Sequence, residues 1–490
     1  MPAITLQQVA AQSGVAFGTS GARGKVADMT AAVCQAYTAA FIEAVVPQAS
    51  TVVLGHDLRP SSPAIAAACA AALAQRGIRV VFAGALPTPA LALFGMQMGA
   101  PSMVVTGSHI PFDRNGIKFY TASGEISKAD EQAMLACAVN AGPAAALVEL
   151  PTPDARVQQA YLARYTGFFG TDALAGKTIA VYEHSSVARD ILRTILEALG
   201  AKVVSLGRTD VFVPIDTEAV RTEDIAQART WAQEHAFDSI VSTDGDADRP
   251  LIGDENGDWL RGDVVGVLCA QTLQATAVVT PVSSNTMLER SGSFPRIIRT
   301  RIGSPYVIEG MQQAAESGAP LVVGFEANGG FLLGSEVLRA GASPAQGPCL
   351  APLPTRDAVL PILALLCSAK ARGLKMSELS RNLPQRFTAS DRLQGIPTDN
   401  SRALLERLRG NAAQLQTLLA PDAGAITSID ETDGLRVHFA GGQIVHLRPS
   451  GNAPELRCYA ESSSPTEASL LCADCLARVG HELRHPLAAG

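Results

Sequence analysis

Thr106-Gly107-Ser108-His109-Ile110-Pro111-Phe112-Asp113-Arg114-Asn115-Gly116-Ile117-Lys118 follows the apolar run 103–105. A strand that ends in Gly-Ser offers its hydroxyl from an exposed turn at the carboxyl edge of a sheet, where α/β proteins bind ligands, so Ser108 is placed as a nucleophile. Ile110 stands where the G-x-S-x-G elbow of acyl hydrolases needs its second glycine, which disfavours serine-hydrolase chemistry. Lys118, ten residues after Ser108, suits a proton carrier or an electrostatic clamp for phosphate. Taken alone, the same serine and lysine read equally as surface residues of a turn.

Ser242-Thr243-Asp244-Gly245-Asp246-Ala247-Asp248-Arg249 follows a second apolar run, 239–241. Carboxylates at every second position, with only Gly245 and Ala247 between them, repel one another unless they converge on a hard cation. An EF-hand counted from Asp244 fails, because Arg249 and Pro250 replace the turn glycine and its successor. A phosphatase of the aspartyl-nucleophile kind fails too, since neither Ala247 nor Arg249 fits its final position. A magnesium ion completed by a phosphoryl oxygen is the chemistry that remains.

Three further segments offer ligand contacts. In Gly324-Phe325-Glu326-Ala327-Asn328-Gly329-Gly330, Glu326 and Asn328 can pair with vicinal hydroxyls while the glycines let a sugar ring approach. A tight turn closed by Asn-Gly-Gly is the alternative. In Arg448-Pro449-Ser450-Gly451-Asn452-Ala453-Pro454, the fork of Arg448, the hydroxyl of Ser450 and the backbone at Gly451 and Asn452 match a phosphate, or form an ordinary surface turn. Phe17-Gly18-Thr19-Ser20-Gly21-Ala22-Arg23-Gly24 is a glycine-rich loop that can present Arg23 to a phosphoryl group. With no P-loop lysine and no strand expected before it, it is not a nucleotide site.

The elements that must hold these segments show a recurring order. An apolar run at 51–54 leads to an Ala-rich helix over 64–75 and a strand opening at Gly77, and 178–182, 188–199 and the strand after Gly200 repeat it. A weaker third echo pairs the helix 306–317 with the strand after Gly318. We therefore expect three related α/β domains with buried strands, at 1–148, 149–255 and 256–371. Alternating strands flanking Gly441-Gly442 and a helix over 467–478 predict a smaller α+β domain at 372–490.

Composition agrees with a large folded chain. At 490 residues several domains and a cleft between them are possible, and 47% hydrophobic against 17% charged residues gives ample core. A net charge of −7 with no basic run argues against nucleic acid or a membrane surface as partner. No stretch approaches membrane-spanning length, residues 1–12 lack the basic start and continuous apolar core expected of a signal peptide, and nine scattered cysteines, including the Cys472/Cys475 pair, read as reduced structural thiols in a cytoplasm.

In this order the five segments resemble the α-D-phosphohexomutase family, which includes phosphomannomutases, phosphoglucomutases and phosphoglucosamine mutases. The resemblance runs from Gly18 to Pro454. It implies three three-layer α/β domains and a smaller fourth around a central cleft. It also implies an intramolecular phosphotransferase that interconverts hexose 6-phosphate and hexose 1-phosphate through a hexose 1,6-bisphosphate. Ser108 would be the phosphoserine, whose phosphate shares Mg²⁺ with Asp244, Asp246 and Asp248. Arg23, His109, Lys118 and Arg249 would line the reacting phosphoryl group. Glu326 and Asn328 would read sugar hydroxyls, and Arg448, Ser450, Gly451 and Asn452 would hold the phosphate that is not transferred. Two departures stand out: many members read Gly-Glu-x-Ser-Gly-His in the sugar loop, where this chain has Phe325, Asn328 and Gly330, and Asn452-Ala453 replaces a common Thr-Glu. Mannose and glucose phosphates are expected ahead of glucosamine phosphate. A sugar phosphatase and a non-catalytic sugar-phosphate sensor are the readings from other classes.

Overall fold

Valine-rich runs buried on both faces favour parallel strands, and three such sets recur in the computed structural model, which describes residues 4–139, 144–339, 347–450 and 454–484. In the first sheet Arg79–Ala85, Thr51–His56, Ser102–Val105 and Arg114–Thr121 lie side by side in that order, the first three parallel and the fourth antiparallel. Lys202–Leu206, Thr178–Tyr182, Ser239–Thr243 and Pro250–Gly253 repeat the arrangement. So do Arg296–Thr300, Ala277–Pro281, Val322–Phe325 and Phe331–Leu333, with Leu353–Asp357 added antiparallel at the edge.

Strand periodicity sends successive side chains to opposite faces, and each sheet uses this to build two cores. Val52 and Leu54 join Met103 and Val105 against the helices Ala31–Ala44 and Ser62–Ala74, while Val53 and Val104 face Thr88–Met98 and Ala155–Phe169. In the second sheet Ile179 and Val181 enter a core shared with the third, while Ala180 and Tyr182 pack on the other side. Helix Val359–Arg372 packs along Gly262–Thr272 in that shared core. The expected three α/β units and smaller α+β unit are present.

The last unit is a five-stranded antiparallel sheet in the order Phe387–Gln394, Glu455–Ser462, Ile444–Pro449, Leu435–Phe439 and Ile426–Asp430. Its core includes leucines of Thr398–Arg409 and Ala412–Leu419 and the inner face of Pro465–Arg484, where Cys472 and Cys475 lie beside Cys458. All nine cysteines are free. No described helix is long and apolar enough to cross a membrane.

Two expectations are corrected. The third echo is one βα step out of register: Val322–Phe325 is the third strand of its sheet, whereas the strands after Gly77 and Gly200 are second strands. The glycine-rich loop near the start does follow a strand, being the turn of a hairpin between Ala16–Phe17 and Ala22–Lys25. Arg23 accordingly stands on a strand, opposite Gly116, and not at a loop tip.

Candidate active site

Three of the chemistry-bearing segments occupy one topological slot, the turn from the third strand of each sheet into its antiparallel neighbour. Ser108 lies between Ser102–Val105 and Arg114–Thr121, the aspartates between Ser239–Thr243 and Pro250–Gly253, and Glu326 and Asn328 between Val322–Phe325 and Phe331–Leu333. The slot lies at the carboxyl end of a central strand, where helices flank the sheet and loops are free to carry ligand groups.

Ser108 adopts a left-handed backbone with φ 54°, uncommon for a side-chain-bearing residue and characteristic of constrained sites. Its amide donates to Thr106 Oγ1 at 2.8 Å, and its Oγ donates to Asp244 Oδ2 at 2.5 Å with His109 Nδ1 3.3 Å away. The expected exposed turn is buried, Ser108 being 1% accessible, because the 244–248 loop covers it. Gly245 makes that approach possible: a Cβ there would lie 2.9 Å from the Ser108 carbonyl oxygen.

Arg59, which the sequence did not single out, organises this loop. Its guanidinium donates to the carbonyls of Pro111 and Arg114 at 2.7 and 2.9 Å and of Ser108 and Ile110 at 2.9 and 2.6 Å. Asp57 pairs with its Nε at 3.2 Å and also accepts from Thr106 Oγ1 at 2.7 Å and the Gly107 amide at 3.2 Å. Phe212 lies under the guanidinium at 4.1 Å. The available signal was Asp-x-Arg directly after a strand end.

The three aspartates converge as their spacing suggests, with one carboxylate oxygen from each lying within 4.8 Å of the others. Lys118 Nζ reaches Asp246 Oδ2 at 2.7 Å and Asp248 Oδ2 at 2.5 Å, and Thr88 Oγ1 donates to Asp246 Oδ2 at 2.6 Å. Arg249 Nε lies 3.6 Å from Asp248 Oδ1. Asp246 Oδ1 and Asp248 Oδ1 are buried with no hydrogen-bond partner, an arrangement that costs free energy unless a cation completes it. The triad can therefore hold a metal ion.

The electrostatics follow from burial and crowding. Burial, with Asp246 and Asp248 adding to it, pushes the Asp244 carboxyl well above its ordinary range against the pull of Arg249 and Lys118. Burial acts upward on Asp248 too, but Arg356, Lys118 and Arg249 outweigh it and hold that carboxyl below the usual range. His109 is pushed well below its ordinary value by burial and by Arg249 and Arg23, so its ring is neutral near pH 7. Arg23 is brought down to about 10 by burial and by repulsion from Arg249 and Arg356, with Asp246 and Asp248 pulling the other way. Ser108, His109, Lys118, Arg23, Arg249 and the three aspartates are thus one interacting cluster.

Glu326 joins the cluster through another residue absent from the sequence reading, Arg356, whose Nη1 lies 2.9 Å from Glu326 Oε2. Asn328 also serves the turn: its Oδ1 accepts from the Gly330 amide at 2.9 Å, and its carbonyl accepts from Thr217 Oγ1 at 2.6 Å. Arg448 stands apart, with Nε 2.8 Å from Asp433 Oδ2. Ser450 is buried, its amide bonded to the Glu455 carbonyl at 2.8 Å, while Gly451 and Asn452 lie outside the described residues. Burial, with Asp216 adding to it, raises the Glu218 carboxyl against the pull of Arg249, Arg261 and Arg457.

Four family models match in chain order. They are described as phosphoglucomutase/phosphomannomutase alpha/beta/alpha domain I, over 14–142, domain II, over 159–257, domain III, over 261–387, and the C-terminal domain, over 399–478. A phosphomannomutase of Salmonella muenchen is 46% identical over 474 residues, covering 96% of this chain and 97% of its own. One from Sinorhizobium fredii is also 46% identical, covering 95% of this chain and 98% of its own. Among solved structures, a putative phosphomannomutase from Thermus thermophilus superposes with a TM-score of 0.74 at 21% identity, covering 96% of this chain and 99% of that one.

Proposed function

Because the chain belongs to the phosphoglucomutase/phosphomannomutase family and is a phosphohexomutase, an intramolecular phosphotransferase, we propose that it interconverts hexose 6-phosphates and hexose 1-phosphates through a phosphoryl group carried on Ser108. The observation that carries the reading is the Ser108 hydroxyl, held in a left-handed turn against Asp244 where the nucleophile and metal loops meet. Mannose and glucose phosphates are the preferred substrates, a choice supported by the phosphomannomutase relatives.

In the first half-reaction the free sugar hydroxyl attacks phosphorus, its new O–P bond forms as the P–Oγ bond to Ser108 breaks, and the hydroxyl proton ends on Ser108 Oγ. The product is a hexose 1,6-bisphosphate. It turns over, and Ser108 Oγ attacks its other phosphorus: the sugar O–P bond breaks, the serine proton passes to the released sugar oxygen, and the phosphoserine is regenerated. Lys118 Nζ is the proton carrier between the two oxygens, held in place by Asp246 and Asp248. Neutral His109, 3.3 Å from Oγ, orients the hydroxyl without adding charge. Arg23 and Arg249 offset charge on the moving phosphoryl group, whose transition state is loose and anionic. Mg²⁺, held by Asp244, Asp246 and Asp248 with the Ser108 phosphate, would neutralise that charge further. Glu326 and Asn328 contact the sugar, while Arg448, Ser450, Gly451 and Asn452 grip the phosphate that is not transferred. We place the enzyme in the cytoplasm, where its free thiols stay reduced.

A coupled assay with mannose, glucose and glucosamine 1-phosphates plus a trace of the bisphosphate tests the reading. The first two are expected to yield 6-phosphates, and chelating the divalent ion should abolish turnover. Undiminished turnover by Ser108→Ala would remove the phosphoserine, and inorganic phosphate released without isomer would make the protein a phosphatase.

A further inference from the structure

Gly330 closes the loop that carries Glu326, and a Cβ added to it would lie 2.7 Å from Cδ and 2.9 Å from Cγ of Arg356. The aliphatic stem of Arg356 therefore fills the space that any larger residue at 330 would need. That stem leads to a buried guanidinium, 2% accessible, whose fork faces two ways. Nε and Nη2 lie 3.0 and 2.8 Å from Asp248 Oδ2, and Nη1 lies 2.9 Å from Glu326 Oε2. Asp248 belongs to the second sheet and Glu326 to the third, so one side chain spans two loops that share no strand.

The backbone behind it is fixed. Arg356 lies on the edge strand Leu353–Asp357, and the next residue, Asp357, accepts from the hydroxyls of Tyr161, at 2.6 Å, and Tyr165. A planar guanidinium on an anchored strand has geometry that a single ammonium cannot reproduce.

We propose that Arg356 is a positioning residue that ties the metal loop to the sugar loop through Asp248 and Glu326, with Gly330 as the slot that admits it. The proposal rests on reading Asp244–Asp248 as the metal loop and Glu326 as a sugar contact. It gives the departure at Gly330 a steric cause: the residue is small because an arginine from another strand passes over it. A positioning role links two quantities that a purely structural ion pair leaves alone, the metal requirement and the sugar-phosphate KM.

The test uses the whole chain as Arg356→Lys, Gly330→Ala and Glu326→Gln, measuring kcat, KM for the sugar phosphate and the Mg²⁺ concentration for half-activity, with melting curves for each in the absence and presence of Mg²⁺. Arg356→Lys is expected to lose about 10- to 100-fold in kcat and to need more Mg²⁺, as supporting contacts to metal ligands do, and to raise KM as well. Gly330→Ala, which alters no charge, should reproduce these changes in weaker form and covers the case in which Arg356→Lys fails to fold. If the folded Arg356→Lys and Gly330→Ala proteins keep all three quantities within about twofold of the parent while Glu326→Gln raises KM, Arg356 has no positioning role. If Glu326→Gln itself is silent, the sugar-contact reading fails instead.

Discussion

Arg59 spends its donors on backbone: four carbonyls between Ser108 and Arg114 converge on one guanidinium held by Asp57. A lysine offers three donors from one point and cannot reproduce this fan. Arg59→Lys should therefore leave the protein folded but loosen the Ser108 turn. A displacement of about 1 Å at a reacting group costs on the order of 100-fold, so kcat should fall by about that factor while KM changes little; an unchanged kcat would show that the turn holds its own shape. Gly107 sets the other side of this fit, because a Cβ there would meet Arg59 Cζ at 2.5 Å. Ser108 and the three aspartates were legible in the sequence because their chemistry is local, packed into a few consecutive residues. Arg59 and Arg356 were not: Asp57-x-Arg59 is too short a signal, and the Ser108 carbonyl and Asp248 that these arginines hold lie 49 and 108 residues away. Asn328 could be read as sugar contact or turn former, and its amide oxygen closes the turn.

The reacting elements are hairpins, and two carry backbone strain: Ser108 and Ala247 have φ of 54° and 59°. Such residues persist when their surroundings over-determine them. For Ser108 the surroundings are Arg59 and the metal loop, so the contact between the two hairpins matters to both. Gly245→Ala would place a methyl 2.9 Å from the Ser108 carbonyl and force the hairpins apart. The expected outcome is a several-fold rise in the Mg²⁺ needed for half-activity with a melting temperature close to the parent's; an unchanged metal requirement would show that the loops yield without consequence. The repeated strand order was partly legible for a physical reason. Buried strands such as Ser102–Val105 and Val322–Phe325 read as apolar runs, but Arg296–Thr300 is a half-buried edge strand whose two isoleucines stand between arginines. It left no apolar run to count, and the third echo slipped to the next strand that had one.

Across the whole molecule, two buried histidines outside the reacting cluster set an acid limit. Burial pushes His184 and His446 from an ordinary 6.5 to about 4. Each is neutral when folded, so the unfolded chain binds the proton first as pH falls from 6.5 towards 4. The stability this contributes is complete above pH 6.5 and is lost through that window, up to about 3 kcal/mol per histidine. Denaturant unfolding of His446→Gln at pH 7.5 and pH 5 should show a smaller acid loss than the parent, and equal losses would clear His446 of the effect. His446 reaches the Asp433 carbonyl at 2.5 Å, and the Asp433 carboxylate holds both Arg448 and the Ile302 amide at 2.8 and 3.0 Å, joining the last sheet to the third. Every chemistry-bearing turn described between a third and a fourth strand is tethered at both ends to a single sheet. These turns are short and their reacting residues are buried, so each travels with its sheet. The separation between Ser108 and Arg448 is then a gauge of the angle between the first and last units, and a pair of spectroscopic labels on those two sheets would read that angle in the resting and the substrate-loaded enzyme.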